Sequence, residues 1–196
     1  MKKSCIILLS LMLVFLVSAT SMAKYEKGDY KVFSLGDTRE MIEEKATYLV
    51  STGEIIKGNG DYFVTKIVGE TFTGYFSYYK DQLYKISFYS DGYNAMRYDT
   101  YLKDLMMNKI KPMFSGSYGE PVNDYGYPSF FNLKDGYTTF ISRWRDGDKE
   151  IIIGVSSSDF EYEGAIIIVD TALEKQKEKD EEEAKRQKIL GSSVDF

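Results

Sequence analysis

From residue 30 onward, apolar positions recur first at short alternation, then at helical spacing, then again in alternating runs. Tyr30-Lys31-Val32-Phe33 alternates briefly and predicts a leading strand that ends at Ser34-Leu35-Gly36. Asp37, with Glu40 three residues on, reads as an N-cap and capping box. In the helix that follows, Ile42, Ala46 and Leu49 share a face, Met41 and Tyr48 flank it, and Ser51-Thr52-Gly53 ends it. Gly58-Asn59-Gly60-Asp61 marks a turn. Residues 62–68, 71–79 and 82–89 then form three β-rich runs joined by short links, which predicts an antiparallel meander. In the second run Phe72, Gly74, Phe76 and Tyr78 fall on one face; in the third, Tyr84, Ile86 and Phe88 alternate with Leu83, Lys85 and Ser87.

The second half repeats the succession. Asn94 is placed to cap a helix over about 95–110, with Leu102, Leu105, Met106, Ile110 and Met113 as its apolar stripe. Pro112 disfavours helical geometry at Lys111, so the helix is expected to end or kink there, and the stretch from Ser115 to Pro121 reads as its stop. Strands are expected at 129–133, 137–144, 149–155 and 163–169, with Asp146-Gly147 as a hairpin signal. Ile151, Ile153 and Val155 face one way and Ile152 the other. Thr171 and Glu174 form a second capping box, opening a charged helix to about Leu190 with Glu181/Lys185 and Glu182/Arg186 at i,i+4.

The pattern predicts an α+β protein of two αβββ repeats, about 29–90 and 94–169, within one domain spanning 24–170. Antiparallel sheet is covered by helices, and residues 171–196 form a charged helical tail without an a/d heptad.

The N-terminus has a different logic. Lys2 and Lys3 precede a run from Ile6 to Val17 that is apolar apart from Ser10, followed by small residues up to Ala23. That is the layout of a signal peptide over 1–23, cleaved after Ala23; the run is shorter than the roughly 20 apolar residues a spanning helix needs. The expected address is therefore periplasmic or extracellular, with no stable transmembrane anchor after cleavage. The single cysteine, Cys5, leaves with this segment, so the exported chain would hold together without disulfides.

Composition then narrows the chemistry. The chain of 196 residues has no histidine, which excludes His-based triads, His zinc sites and His general bases. Its formal charge of −5, without a basic cluster, argues against nucleic-acid binding, and losing Lys2 and Lys3 makes the remainder more acidic.

Three features carry a resemblance: the segment Phe33–Ile42; the second helix followed by Tyr118-Gly119-Glu120-Pro121; and a Trp144 strand, an Ile-rich strand and a late strand running straight into a charged helix. In these the chain resembles a group of uncharacterised small secreted bacterial proteins, and at the level of architecture the β-lactamase-inhibitor-protein-like and SmpA/OmlA envelope proteins. The resemblance implies a duplicated helix-plus-sheet fold and an envelope compartment. Leu35 stands where that group often has an aromatic residue, and no lipid-attachment cysteine follows the signal, so no site is implied.

Among candidate chemistries, Ser156-Ser157-Ser158-Asp159 and Ser115-Gly116-Ser117 lack a G-x-S-x-G or S-x-x-K setting and read as loop and turn residues. Asp91, Asp146, Asp148 and Asp159 fall in expected turns, where a pair could serve a His-independent glycan hydrolase. Asp146-Gly147-Asp148-Lys149-Glu150 lacks calcium-loop spacing and reads as a hairpin turn. No cofactor is expected. Two covered sheet faces can absorb many of the 17 Tyr and 12 Phe, and the remaining Tyr either cover the sheet edge and pack under loops or offer a contact surface. Tyr75, Tyr79 and Tyr89 fall opposite the expected core faces, and Tyr118, Tyr125 and Tyr127 lie in the glycine-rich connection. These six form the expected binding surface of a non-catalytic envelope binding or accessory protein, its partner an envelope protein or a glycan. A carboxylate glycan hydrolase and a proteinaceous enzyme inhibitor are the alternatives.

Overall fold

The computed structural model describes residues 25–159 and 161–192; the expected signal peptide lies outside the described residues. Eight antiparallel strands form one sheet in the order β1-β2-β3-β4-β8-β7-β6-β5. They are β1 (Ile55–Lys57), β2 (Tyr62–Ile67), β3 (Glu70–Tyr79), β4 (Gln82–Ser90), β5 (Asn123–Asp124), β6 (Thr138–Asp146), β7 (Lys149–Ser158) and β8 (Glu161–Asp170). Each half of the chain thus contributes a helical region and four strands, and the halves meet where β4 pairs with β8. The α+β class is as expected. The short edge strands β1 and β5 are additions to it.

Local chemistry sets the hairpins. Val68 and Gly69 (φ 49° and 88°) join β2 to β3, and Lys80 and Asp81 (φ 47° and 65°) join β3 to β4. Both central residues at positive φ make the two-residue turn whose twist suits paired strands. Gly147 (φ 62°) provides the expected turn between β6 and β7.

Helix α1 (Arg39–Ser51) buries Ile42, Ala46 and Leu49, as its spacing requires. Its N-cap is Thr38, whose hydroxyl accepts the Met41 N–H; Asp37 does not cap it. The Asp37 carboxylate turns inward instead, accepting the Ser34 N–H at 2.7 Å and the Lys45 ammonium at 2.7 Å. The leading strand expected at Tyr30–Phe33 is a tight turn closed by Phe33 N–H on Tyr30 O, and Lys31 has φ 52°.

The second helical region differs in kind from α1. A single turn, α2 (Ala95–Arg97), capped by Asn94, leads into π-helical segments Tyr98–Leu102 and Asp104–Ile110. Helical winding then continues as α3 (Lys111–Tyr118). The expected stop at Lys111 does not occur. Lys111 donates to Met106 O five residues back, and Pro112 falls in the first turn of α3, where a missing N–H leaves no bond broken. The stop comes at Gly119 (φ 77°). Gly164 lets the π-helical backbone approach β8: a Cβ there would stand 2.6 Å from Met106 Sδ and 3.3 Å from Leu102 Cδ1. The strand expected at 129–133 is a 3₁₀ turn, Phe130–Asn132, and the partner of β6 is β5.

Both helical regions lie on one sheet face and share one core, which runs from Phe33, Ile42 and Phe63 through Phe88 to Met106, Trp144 and Ile166. Trp144 is fully packed and donates its indole N–H to Gly119 O at 2.9 Å. One facing expectation is overturned. Between Ser77 and Tyr78 the register with β4 slips, so that Tyr78 sits opposite Leu83 while Ser77 sits opposite Lys85. This bulge hands the core position to Leu83 and puts Tyr84 outside the core cluster. There it is buried, with Lys177 Nζ 5.8 Å from its ring.

Lys177 belongs to the tail helix α4 (Thr171–Ser192), whose start is capped by Asp170, accepting from Ala172 N and Leu173 N, in place of the expected Thr171. Leu173, Glu174, Lys177 and Asp180 are half-buried, whereas residues 181–189 are exposed. The tail is thus docked over its first turns and exposed over residues 181–189.

Candidate binding surface

The sheet face away from α1 and α3 carries the side chains that alternate with the core positions. Because the two-residue turn fixes the β2–β3 register, Tyr62 stands directly opposite Tyr75, with ring centroids 6.2 Å apart. Tyr89 of β4 lies diagonally across from Tyr75 at 6.0 Å, in an edge-to-face arrangement. Three strands therefore bear one continuous tyrosine row, with Tyr62 and Tyr75 about 37% and 44% exposed. Beyond Tyr89 the row meets Ala165 of β8 and then Gly154 of β7, where a Cβ would stand 2.6 Å from Thr139 O of β6.

A cleft of about 430 Å³ opens at this place, lined by Thr73, Tyr75, Tyr89, Asp91, Ser156 and Glu163, among others. Glu161 borders it through the Asp91-Gly92 bend: a Cβ on Gly92 would stand 2.7 Å from Glu161 Oε2. Among the described residues none of the carboxylates of Asp91, Glu161 and Glu163 has a hydrogen-bond or ion-pair partner. Burial raises the Glu163 carboxyl above the ordinary glutamate range, and the neighbouring Glu161 and Asp91 charges raise it further. Burial likewise lifts the Tyr89 hydroxyl, partly offset by its hydrogen bond with Ser87. The result is an aromatic wall beside a surplus of negative charge.

The six tyrosines singled out from sequence are distributed over several places. Tyr75 and Tyr89 come together at the cleft. Tyr79 shares their sheet face but lies at its other end, where its hydroxyl donates to Asp180 of α4 and Lys80 Nζ stands 4.9 Å from its ring. Tyr118 packs on Phe114 with Lys149 Nζ 5.3 Å from its ring. Tyr127 stacks near Tyr98 and donates to Tyr98 O at 3.0 Å; burial pushes its hydroxyl far up. Tyr125 is exposed and holds Ile141 O through its backbone N–H. The surface is thus carried by Tyr75 and Tyr89, joined by Tyr62 and Glu163, which sequence reasoning passed over. Tyr62 could have been found by folding the hairpin on paper about Val68-Gly69. Glu163 had no local signal, because β8 reaches Tyr89 only through a long-range pairing.

Of the four turn aspartates, Asp91 alone lines the cleft. Asp146 pairs with Lys149 at 3.2 Å in the β6–β7 turn, and Lys149 also holds Asp29 at 3.0 Å. Among the described residues no cluster of three Asp or Glu is placed to hold a metal ion, and no helix is long and apolar enough to cross a membrane. Compared with protein-family models, curated proteins and solved structures, the chain matches none.

Proposed function

We propose that the protein is an exported, non-catalytic binding or accessory protein of the cell envelope that engages its partner through the tyrosine row Tyr62–Tyr75–Tyr89. The observation that carries this reading is ring contact between three tyrosines on a sheet face that α1 and the π-helical region leave uncovered. Such rings offer rigid, amphipathic contact area at small entropic cost. Inhibition of an exported enzyme is one form this binding could take. The test is capture from envelope extract on the wild-type protein and on a Tyr75→Ser/Tyr89→Ser variant with an unchanged melting curve. A dominant partner retained by the wild type and lost by the variant supports the reading; a partner held equally by both sinks it.

One observation favours a second reading, a carboxylate glycan hydrolase. Glu163, whose carboxyl burial raises above the ordinary glutamate range, shares a cleft with Asp91, and a pair of carboxyl groups in one cleft is what glycoside hydrolysis without histidine requires. Turnover of glycan substrates that disappears on Glu163→Gln would establish it, and no turnover would remove it.

A further inference from the structure

Resting on the reading of the tyrosine row as the binding face, we infer that its partner is a basic protein segment, whose Lys or Arg side chain enters the cleft between Tyr75, Tyr89 and Glu163. The ring faces and the carboxylates point to the same ligand charge. Tyr75 and Tyr89 line the cleft, and a cation over a tyrosine ring is attracted by its quadrupole. Asp91, Glu161 and Glu163 bring three negative charges to the same rim with no cation of this chain paired to them among the described residues. The contrast with the rest of the sheet is informative. On the same face, Glu150 is held by Arg143 and Arg145, and Asp180 is held by Lys80. At the sheet edge, Glu70 is held by Lys109. These three carboxylates are neutralised within the chain, while those at the cleft are left for something outside it.

A neutral ligand would satisfy the rings but leave the mutual repulsion of Glu163, Glu161 and Asp91 in place. A cation relieves it, so charge complementarity selects the basic partner. The tyrosine row continues to Tyr62 at the β2 side, which provides contact length for residues flanking the basic one.

The test uses the purified protein with tyrosine-ring NMR signals assigned, titrated with an alternating Gly/Arg hexapeptide, the same peptide with citrulline for arginine, and chitohexaose. The expected result is that the Arg peptide moves the ring signals of Tyr75 and Tyr89 but not of Tyr125, and the citrulline peptide moves neither. Glu163→Gln should weaken the Arg peptide about fivefold, and raising the salt should weaken it further. If the citrulline peptide binds as well as the Arg peptide, or chitohexaose alone moves the rings, the cationic inference falls while the tyrosine face remains the binding surface. If the Arg peptide acts only on the charged tail helix, the inference falls as well. A captured envelope partner indifferent to Tyr75→Ser/Tyr89→Ser overturns the underlying reading itself.

Discussion

The ammonium of Lys45, on the inward face of α1, donates to the carboxylate of Asp37 just before that helix at 2.7 Å, and both side chains are buried. The pair ties the start of α1 to its second turn. Removing Lys45 leaves Asp37 with only the Ser34 N–H as partner. Lys45→Ala should therefore cost about 3 kcal/mol, read from urea denaturation, because a buried charge that loses its partner keeps its desolvation penalty. The double variant with Asp37→Ala should lose less than the two single variants combined; additive losses would show that the pair is not coupled.

Gly74 allows the ring of Phe63 to lie against β3, and a Cβ added at Gly74 would stand 2.4 Å from Phe63 Cζ. Phe63 is itself surrounded by Phe33, Phe76 and Phe88, so it has nowhere to go. Gly74→Ala should destabilise by about 1–3 kcal/mol, and adding Phe63→Leu should restore part of the loss. Unchanged thermal stability in Gly74→Ala would contradict this packing.

Tyr75 and Tyr98 should respond very differently to substitution. Tyr75 is 44% exposed, and Tyr75→Ser should change stability by no more than about 1 kcal/mol. Tyr98 is fully buried among Tyr127, Phe130 and Tyr162 and donates to Pro128 O at 2.7 Å. Tyr98→Ala should cost about 3–5 kcal/mol, and Tyr98→Phe about 1 kcal/mol for the lost hydrogen bond. Calorimetry on the three variants decides the order.

The tail helix divides into a docked part and an exposed part. Deleting residues 181–196 should leave the melting temperature nearly unchanged, since residues 181–189 are exposed. Deleting 171–196 uncovers Tyr84 and Val169, now 5% and 3% exposed, and should cost about 2 kcal/mol. Tyr79→Phe removes the donor to Asp180 and should speed amide exchange in the first turns of α4 while sparing the sheet.

The Glu163 carboxyl has a higher proton affinity in the folded protein than in the unfolded chain, through burial and then Glu161 and Asp91. The folded state then binds more protons, so this group's contribution to stability is fully present below the unfolded glutamate pKa and is lost as pH rises through the folded one. Glu163→Gln should melt higher than wild type at pH 7, and the difference should close as pH falls through the carboxylate range. A gap that widens in acid would mean that the folded state holds Glu163 ionised, and a gap constant with pH that its proton affinity is unshifted; either would contradict the burial.

Local chemistry alone determined the α+β class, the helix faces Ile42/Ala46/Leu49 and Leu102/Leu105/Met106/Ile110, the hairpin at Asp146-Gly147 and the outward facing of Tyr75 and Tyr89. Those follow from turn residues, caps and periodicity, which act over a few residues. Tertiary structure decided what local spacing leaves degenerate. The bulge at Ser77/Tyr78 moved Tyr84 out of the core and Leu83 into it. A longer-range ion pair drew Asp37 inward and left Thr38 to cap α1. Pro112, a break on sequence grounds, became the first turn of α3 because the preceding helix is wound with a five-residue repeat. The union of Tyr75, Tyr89, Asp91 and Glu163 required β4 to pair with β8 across the middle of the sheet. Strand pairing at that separation depends on burial of the shared core, which no short stretch of sequence encodes.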